Sequence, residues 1–278
     1  MFLIHSKATR TAWLLAFLVV VSPRLVRAQE VALAGIAHAA FRVSDVQKSR
    51  EFYLKLGFQQ AFEFGDEGKT SVSYIKINDQ QFVELYQRKD DAQPLGLLHV
   101  CFESRDLNAL HDAYVARGLS PTAVRKAHAG NLLSVLHDPE GQTIEFTQYL
   151  PGSLHSQQKG KLLGAQRVSE RILRVKELVK DLQPEQDFYA SRLGFEQAEA
   201  KPVLLRLPGD SGEKIELARS TAGQKSGIVF AVESVGQITE KLHGLGIASH
   251  RDDGGVAITD PDGNVVLFVA SPPASRKG

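Results

Sequence analysis

Two stretches set 136 residues apart carry one signal. VSDVQKSREFY at 43 to 53 and VKDLQPEQDFY at 179 to 189 share Val, Asp, Gln, Phe and Tyr at matching places. Each then runs into LGF, at Leu56–Phe58 and at Leu193–Phe195, the second after one extra residue. A second pair, HDPEGQTIEF at 137 to 146 and TDPDGNVVLF at 259 to 268, repeats at an offset of 122. Between them, DLNALHDAYVARGL and SVGQITEKLHGLGI each place apolar residues on one helical stripe (Leu107, Leu110, Tyr114; Val235, Ile238, Leu242) and stop at Gly118 and Gly246. Asp-Pro-x-Gly is turn chemistry, because Pro fixes one φ and Gly permits a positive one. An internal repeat of this kind constrains every other assignment.

The chain therefore divides into four units, starting near residues 34, 96, 169 and 225, each a strand, a helix and about three further strands. One helix on a small sheet leaves the other face uncovered, so the units are expected to pair. PGSLHSQQKGKLLG, residues 151–164, is polar and glycine-bearing and reads as a linker between two halves, 29–150 and 165–272, with a tail at 273–278.

Composition excludes some classes of function. A net charge of +1 with no basic run argues against nucleic-acid binding. The first 28 residues have the three-part layout of a secretory signal: Lys7 and Arg10, an apolar run from Ala12 to Val21, and Ala28 at the cleavage position. That run falls short of the roughly 20 residues needed to cross a bilayer. The expectation is an exported protein, periplasmic or secreted, with no membrane span after cleavage. Cys101 is alone, so no intrachain disulfide forms, and its place in an apolar strand marks it as a small buried hydrophobe.

Repeated βαβββ units with His on a first strand, FY and LGF around the end of the first helix, and DPxG before a strand containing Glu resemble the vicinal oxygen chelate superfamily. That superfamily includes glyoxalase I, extradiol dioxygenases and bleomycin-resistance proteins. The resemblance spans nearly all of residues 34–270 and implies an α+β fold of four tandem βαβββ modules paired into two glyoxalase-like half-barrel domains.

Within the first two units, His38 and His99 stand on first strands and Glu84 and Glu145 on last strands, and each His is followed by its Glu after 46 residues. A pseudo-twofold between the units would bring two imidazoles and two carboxylates to a common axis, a donor set suited to one divalent first-row metal ion, with Zn, Ni, Fe and Mn all open. Glu84 sits in FVELY and Glu145 in TIEFT, where an unpaired carboxylate carries a heavy desolvation cost that a cation would offset. At the corresponding places the second half has Arg174, Gly227, Glu216 and Leu267, so it is expected to hold no metal. Units one and two must then share the site, within one chain or exchanged across a dimer.

The resemblance to glyoxalase I implies that a metal-bound glutamate moves a proton between adjacent carbons, which assigns catalysis to Glu145 and Glu84, with Glu145 favoured as base. Extradiol dioxygenases instead use two His and one Glu on iron(II). This chain differs from them in its extra Glu84 and in carrying its ligands in the first half. The leading expectation is a metal-dependent lyase or isomerase acting on a small oxygen-chelating substrate. Ring-cleaving dioxygenation and non-catalytic capture of a small molecule are the alternatives. Side chains on the ligand face, Arg42, Tyr86 and Glu103, together with His128 on a late loop, are candidates to line the substrate cavity. His111, His155 of the linker, His243 and His250 read as solvent-facing, and His137 precedes a turn that it is placed to orient. A monomer and a homodimer are both compatible.

Overall fold

The computed structural model describes residues 32–252 and 254–271, so the expected signal segment lies outside the described residues. In the first half, β1 (Gly35–Val43), α1 (Val46–Lys55), β2 (Gln59–Asp66), β3 (Lys69–Lys76) and β4 (Phe82–Gln87) form one unit. The next comprises β5 (Gly96–Glu103), α2 (Leu107–Ala116), β6 (Arg125–Lys126), β7 (Leu132–His137) and β8 (Thr143–Gln148). After α3 (Leu154–Gln157), the pattern returns as β9 (Ile172–Val179), α4 (Leu182–Asp187), β10 (Glu196–Ala200), β11 (Val203–Arg206) and β12 (Lys214–Arg219). The last unit is β13 (Gly227–Val232), α5 (Val235–Gly244), β14 (His250–Asp252), β15 (Gly255–Thr259) and β16 (Val265–Ala270). Among the described residues no helix is long and apolar enough to cross a membrane.

Each half is one eight-stranded sheet, ordered β2-β3-β4-β1-β5-β8-β7-β6 and β10-β11-β12-β9-β13-β16-β15-β14. First strands run antiparallel at the centre (β1 with β5, β9 with β13), and each pairs in parallel with the last strand of its own unit. Units one and two therefore share a sheet within a single chain. Strand alternation sends Ala39, Phe41, Val83, Leu85, Val100, Phe102 and Phe146 to one face, where they join a core continuous with Val175, Phe230 and Phe268 of the other half.

Local chemistry fixes the helices. Asp45, Asp106 and Asp181 accept hydrogen bonds from the first free amides of α1, α2 and α4. Gly57 closes α1 with a φ of 85°, and a Cβ there would meet the Gln166 carbonyl at 2.4 Å. The extra residue before the second LGF is absorbed by widening α4 into a π-turn over Phe188–Leu193, which ends at Gly194 with the same φ of 85° as Gly57.

The halves interlock by reciprocal exchange. Gln81 donates to the Ile172 carbonyl at 3.0 Å and accepts from its amide at 2.8 Å, while Glu213, at the matching place in the other sheet, accepts from the Ile36 amide. Phe58 meets Phe230 at 5.4 Å between centroids, and Phe102 meets Phe195 at the same 5.4 Å. The variable position of the DPxG turn also reaches across: Glu140 accepts from Lys180 and Asp181 before α4, and Asp262 accepts from Ser44 before α1.

Glu177 lies in this core with one oxygen accepting from the Tyr189 hydroxyl at 2.9 Å and the other unpartnered, and burial raises its pKa from 4.5 to about 8. A carboxyl raised in the folded state stays protonated while the unfolded chain ionises. Its contribution is therefore intact below pH 4.5 and is lost as pH rises toward about 8. Glu177→Gln should match the parent in urea unfolding near pH 5 and exceed it by on the order of 2 kcal/mol at pH 8. A stability difference that does not change with pH would contradict this assignment.

Candidate metal centre and its cavity

Four adjacent strands build the site in two rows. One row runs Glu84, Ala40, His99 and the other runs His38, Cys101, Glu145, because β4 is in register with β1, β1 with β5, and β5 with β8. The middle residues Ala40 and Cys101 are small, which leaves room for the larger side chains to converge above them. Register shifts on either side of the His38–Ala40 stretch of β1 re-aim that stretch.

His38 Nε2 lies 3.1 Å from His99 Nε2, and Glu145 Oε2 lies 3.6 and 3.5 Å from the two nitrogens. A point about 2 Å from all three donors exists inside that triangle, matching the bond length of a divalent first-row metal to nitrogen or oxygen. Both imidazoles are buried, and desolvation lowers His38 to about 3 and His99 to about 4, so both are neutral and offer lone pairs. In the protein alone one imidazole must donate to the other. A cation between them would take both lone pairs.

Glu84, expected as a fourth donor, turns instead to the far side of His38. Its Oε1 is 3.1 Å from His38 Nδ1 without the alignment of a hydrogen bond, and its Oε2 accepts from the Tyr86 hydroxyl at 2.9 Å. Burial, then the negative charge of Glu145, hold Glu84 well above the usual carboxylate range. A carboxylate behind a ligating histidine fixes ring orientation and tautomer. Among the described residues, His38, His99 and Glu145 form the group of three donors able to hold an ion.

The donors open into a cavity of about 340 Å³, walled by Phe64, Val72, Tyr74, Tyr86, His128, Leu133 and His155. Tyr86 and His128, singled out from the sequence, line it, with His128 edge-on to Phe64 at 4.5 Å. Arg42 and Glu103 do not. Arg42 donates to the Pro94 carbonyl at 3.1 Å, and Glu103 faces a separate cavity with Gln80, Gln81 and Arg171. Sharing a sheet face is not sharing a site, since four residues of strand displace a side chain by about 13 Å. His155 corrects the sequence reading in the other direction. It is buried on α3, inside the stretch read as a solvated linker, and belongs to the cavity wall.

The second sheet solves the same electrostatic problem differently. Glu216, the counterpart of Glu84, is held by Arg174 at 2.7 Å and Lys176 at 3.1 Å. Leu267 stands where Glu145 does and packs on Val229 and Ala257.

Comparison with known proteins bears on the fold that carries these residues. The sequence model of the Glyoxalase/Bleomycin resistance protein/Dioxygenase superfamily matches residues 35–146. That match covers nearly all of the first half. The vicinal oxygen chelate fold extends through both halves: the 2,3-dioxygenase LapB from Pseudomonas sp. KL28 superposes with a TM-score of 0.65 at 15% identity, over 87% of this chain and 93% of its own. Homoprotocatechuate 2,3-dioxygenase from Arthrobacter globiformis gives 0.64 at 18% identity, over 87% and 81%. The Mn(II)-bound glyoxalase from Novosphingobium aromaticivorans gives 0.62 at 14%, over 86% and 83%. At these identities the likeness is one of fold. No curated protein matches the chain in sequence.

Elemental analysis of purified protein should find about one divalent metal per chain, abolished in His99→Ala and unchanged in Arg174→Ala. Because burial already keeps His38 and His99 neutral, bound metal should be retained from pH 7 down to roughly pH 5, where exposed histidine sites release it. Metal content unaffected by His99→Ala would move the centre elsewhere.

Proposed function

We propose that the protein is a metal-dependent enzyme of the vicinal oxygen chelate type, with His38, His99 and Glu145 holding one divalent ion, and that it cleaves the ring of a catechol-like substrate with dioxygen. The observation that carries this reading is the three-donor triangle with Glu84 turned away. Two histidines and one carboxylate with open positions are the donor set of non-haem iron(II) oxygenases. When bound, such an ion supplies Lewis acidity and open positions for the two adjacent oxygens of a chelating substrate. The protein's own residues do the rest. Phe64, Tyr74 and Tyr86 wall the cavity with flat apolar surface suited to a ring. Glu84, held by Tyr86, is the group beside the donors that can store a proton passing to or from the substrate. Export, the expectation from the N-terminal segment, would separate the protein from the cytoplasmic thiol pool on which thiol-adduct isomerisation depends, which weighs toward oxygen chemistry.

One observation keeps a second reading, a glyoxalase-like isomerase with Glu84 and Glu145 both on the metal. Glu84 Oε1 is only 3.1 Å from His38 Nδ1, and Glu84 follows its histidine by the same interval as Glu145. The two readings separate on Glu84→Gln. On the dioxygenase reading the variant keeps its metal, with affinity weakened by about tenfold to a hundredfold at most, as for a supporting carboxylate. On the isomerase reading it loses a ligand and the proton transfer together. Anaerobic loading with iron(II), followed by catechol and oxygen, should give oxygen uptake and a coloured ring-opened product. Silence with iron, alongside turnover of an α-hydroxy carbonyl adduct under nickel or zinc, would reverse the assignment. Tight capture of either compound without product would instead make the protein a binder.

A further inference from the structure

One polar side chain in the cavity wall has no role in the reading above. His155 is 3% exposed, and neither Nδ1 nor Nε2 has a hydrogen-bond partner. Its ring is clamped by aromatic neighbours: Tyr149 stacks on it at 4.6 Å, and Phe82, Phe62 and Tyr74 meet it edge-on at 4.9, 5.0 and 5.6 Å. The short helix that carries it is pinned at both ends. The Leu154 amide donates to the Ala129 carbonyl at 2.8 Å, Lys76 donates to the Gln158 carbonyl, and Asp79 accepts from the Gly160 amide at 2.8 Å. Such a cage would accept a phenyl ring without leaving two polar atoms unpaired. A histidine held there is costly in the free protein unless something that enters the cavity completes its hydrogen bonds.

We propose that His155 is a substrate-contacting residue, whose imidazole hydrogen-bonds a hydroxyl of an aromatic ring lying in the cavity beside His38, Glu84 and Glu145. The inference rests on the reading of that cavity as the substrate pocket. A neutral imidazole offers one donor and one acceptor, and a phenolic hydroxyl offers the same pair in return. Burial keeps His155 neutral, with its pKa lowered to about 3, so the ring can serve either way at ordinary pH. The aromatic clamp fixes the ring plane and the two anchors of α3 fix its position, so the contact is preorganised.

The test uses the iron(II)-loaded full chain with catechol as the probe. Calorimetry without oxygen should give a Kd for catechol at least tenfold weaker in His155→Phe than in the parent, with metal content unchanged and Tm equal or higher. A packing role alone would raise Tm and leave Kd alone. His155→Gln, which keeps a donor and an acceptor, should recover part of the affinity. In the zinc-loaded parent, catechol saturation should also shift the ring ¹⁵N resonances of His155, a readout that does not depend on any variant folding. Catechol binding by the parent with an unchanged Kd in His155→Phe, or with unmoved His155 resonances, overturns this inference and leaves the proposed function standing. No catechol binding by the parent overturns both.

Discussion

A carboxylate buried on the face of a sheet needs positive charge close by, and the two halves of this chain meet that requirement in opposite ways. In the second sheet Glu216 is neutralised by two side chains, Arg174 and Lys176, and the neighbouring positions are filled by Leu267 and Val229. In the first sheet the matching positions carry His38, Ala40, Glu145 and Cys101, which together with Glu84 and His99 make a cluster of two imidazoles, two acids and no fixed cation. The same backbone thus produces a closed ion pair on one side and an incomplete donor cluster on the other. The difference lies in the side chains at equivalent positions: Lys176 stands where Ala40 does, Arg174 where His38 does and Leu267 where Glu145 does.

The cavity inherits its character from that opening. Small residues in the middle of the rows let the donors lean together, and the aromatic side chains of β2, β3 and β4 rise around them. Glu84 occupies the seam between the two regimes, touching the metal donors through His38 and the substrate space through Tyr86. Burial holds both histidines neutral and pushes the Glu84 carboxyl well above the usual carboxylate range, so a cation arriving there meets free imidazole lone pairs.

Much of this was legible in the residues. The two repeat offsets marked out four modules and, with the uncovered sheet face each would leave, their pairing; the order of the strands came from the structure. The equal His-to-Glu intervals identified the four strand positions that meet at the centre. The amino-acid pattern could not say which way Glu84 would turn, since both choices keep it buried and the outcome depends on the reach of Tyr86. It misjudged Arg42 and Glu103 because alternation gives the face of a strand and not the distance along it. His155 was hidden for a different reason: four residues of helix in a polar segment have no periodicity to read, and burial there comes from Lys76 and Asp79 holding the segment down from afar. The extra residue before the second LGF was visible, but its accommodation as a π-turn was not.

The reciprocal contacts between the halves have a bearing on how such a chain can change. Ile36 and Ile172 each complete a backbone pairing with a side chain from the opposite sheet, and the entry to α1 and α4 is finished by acids from the far turn. Neither sheet is self-sufficient at its own margins. A duplicated ancestor could therefore change the donors of one copy while still having to retain that copy as a physical complement, so the half that lacks the His-His-Glu set persists as part of the mould in which the other is set.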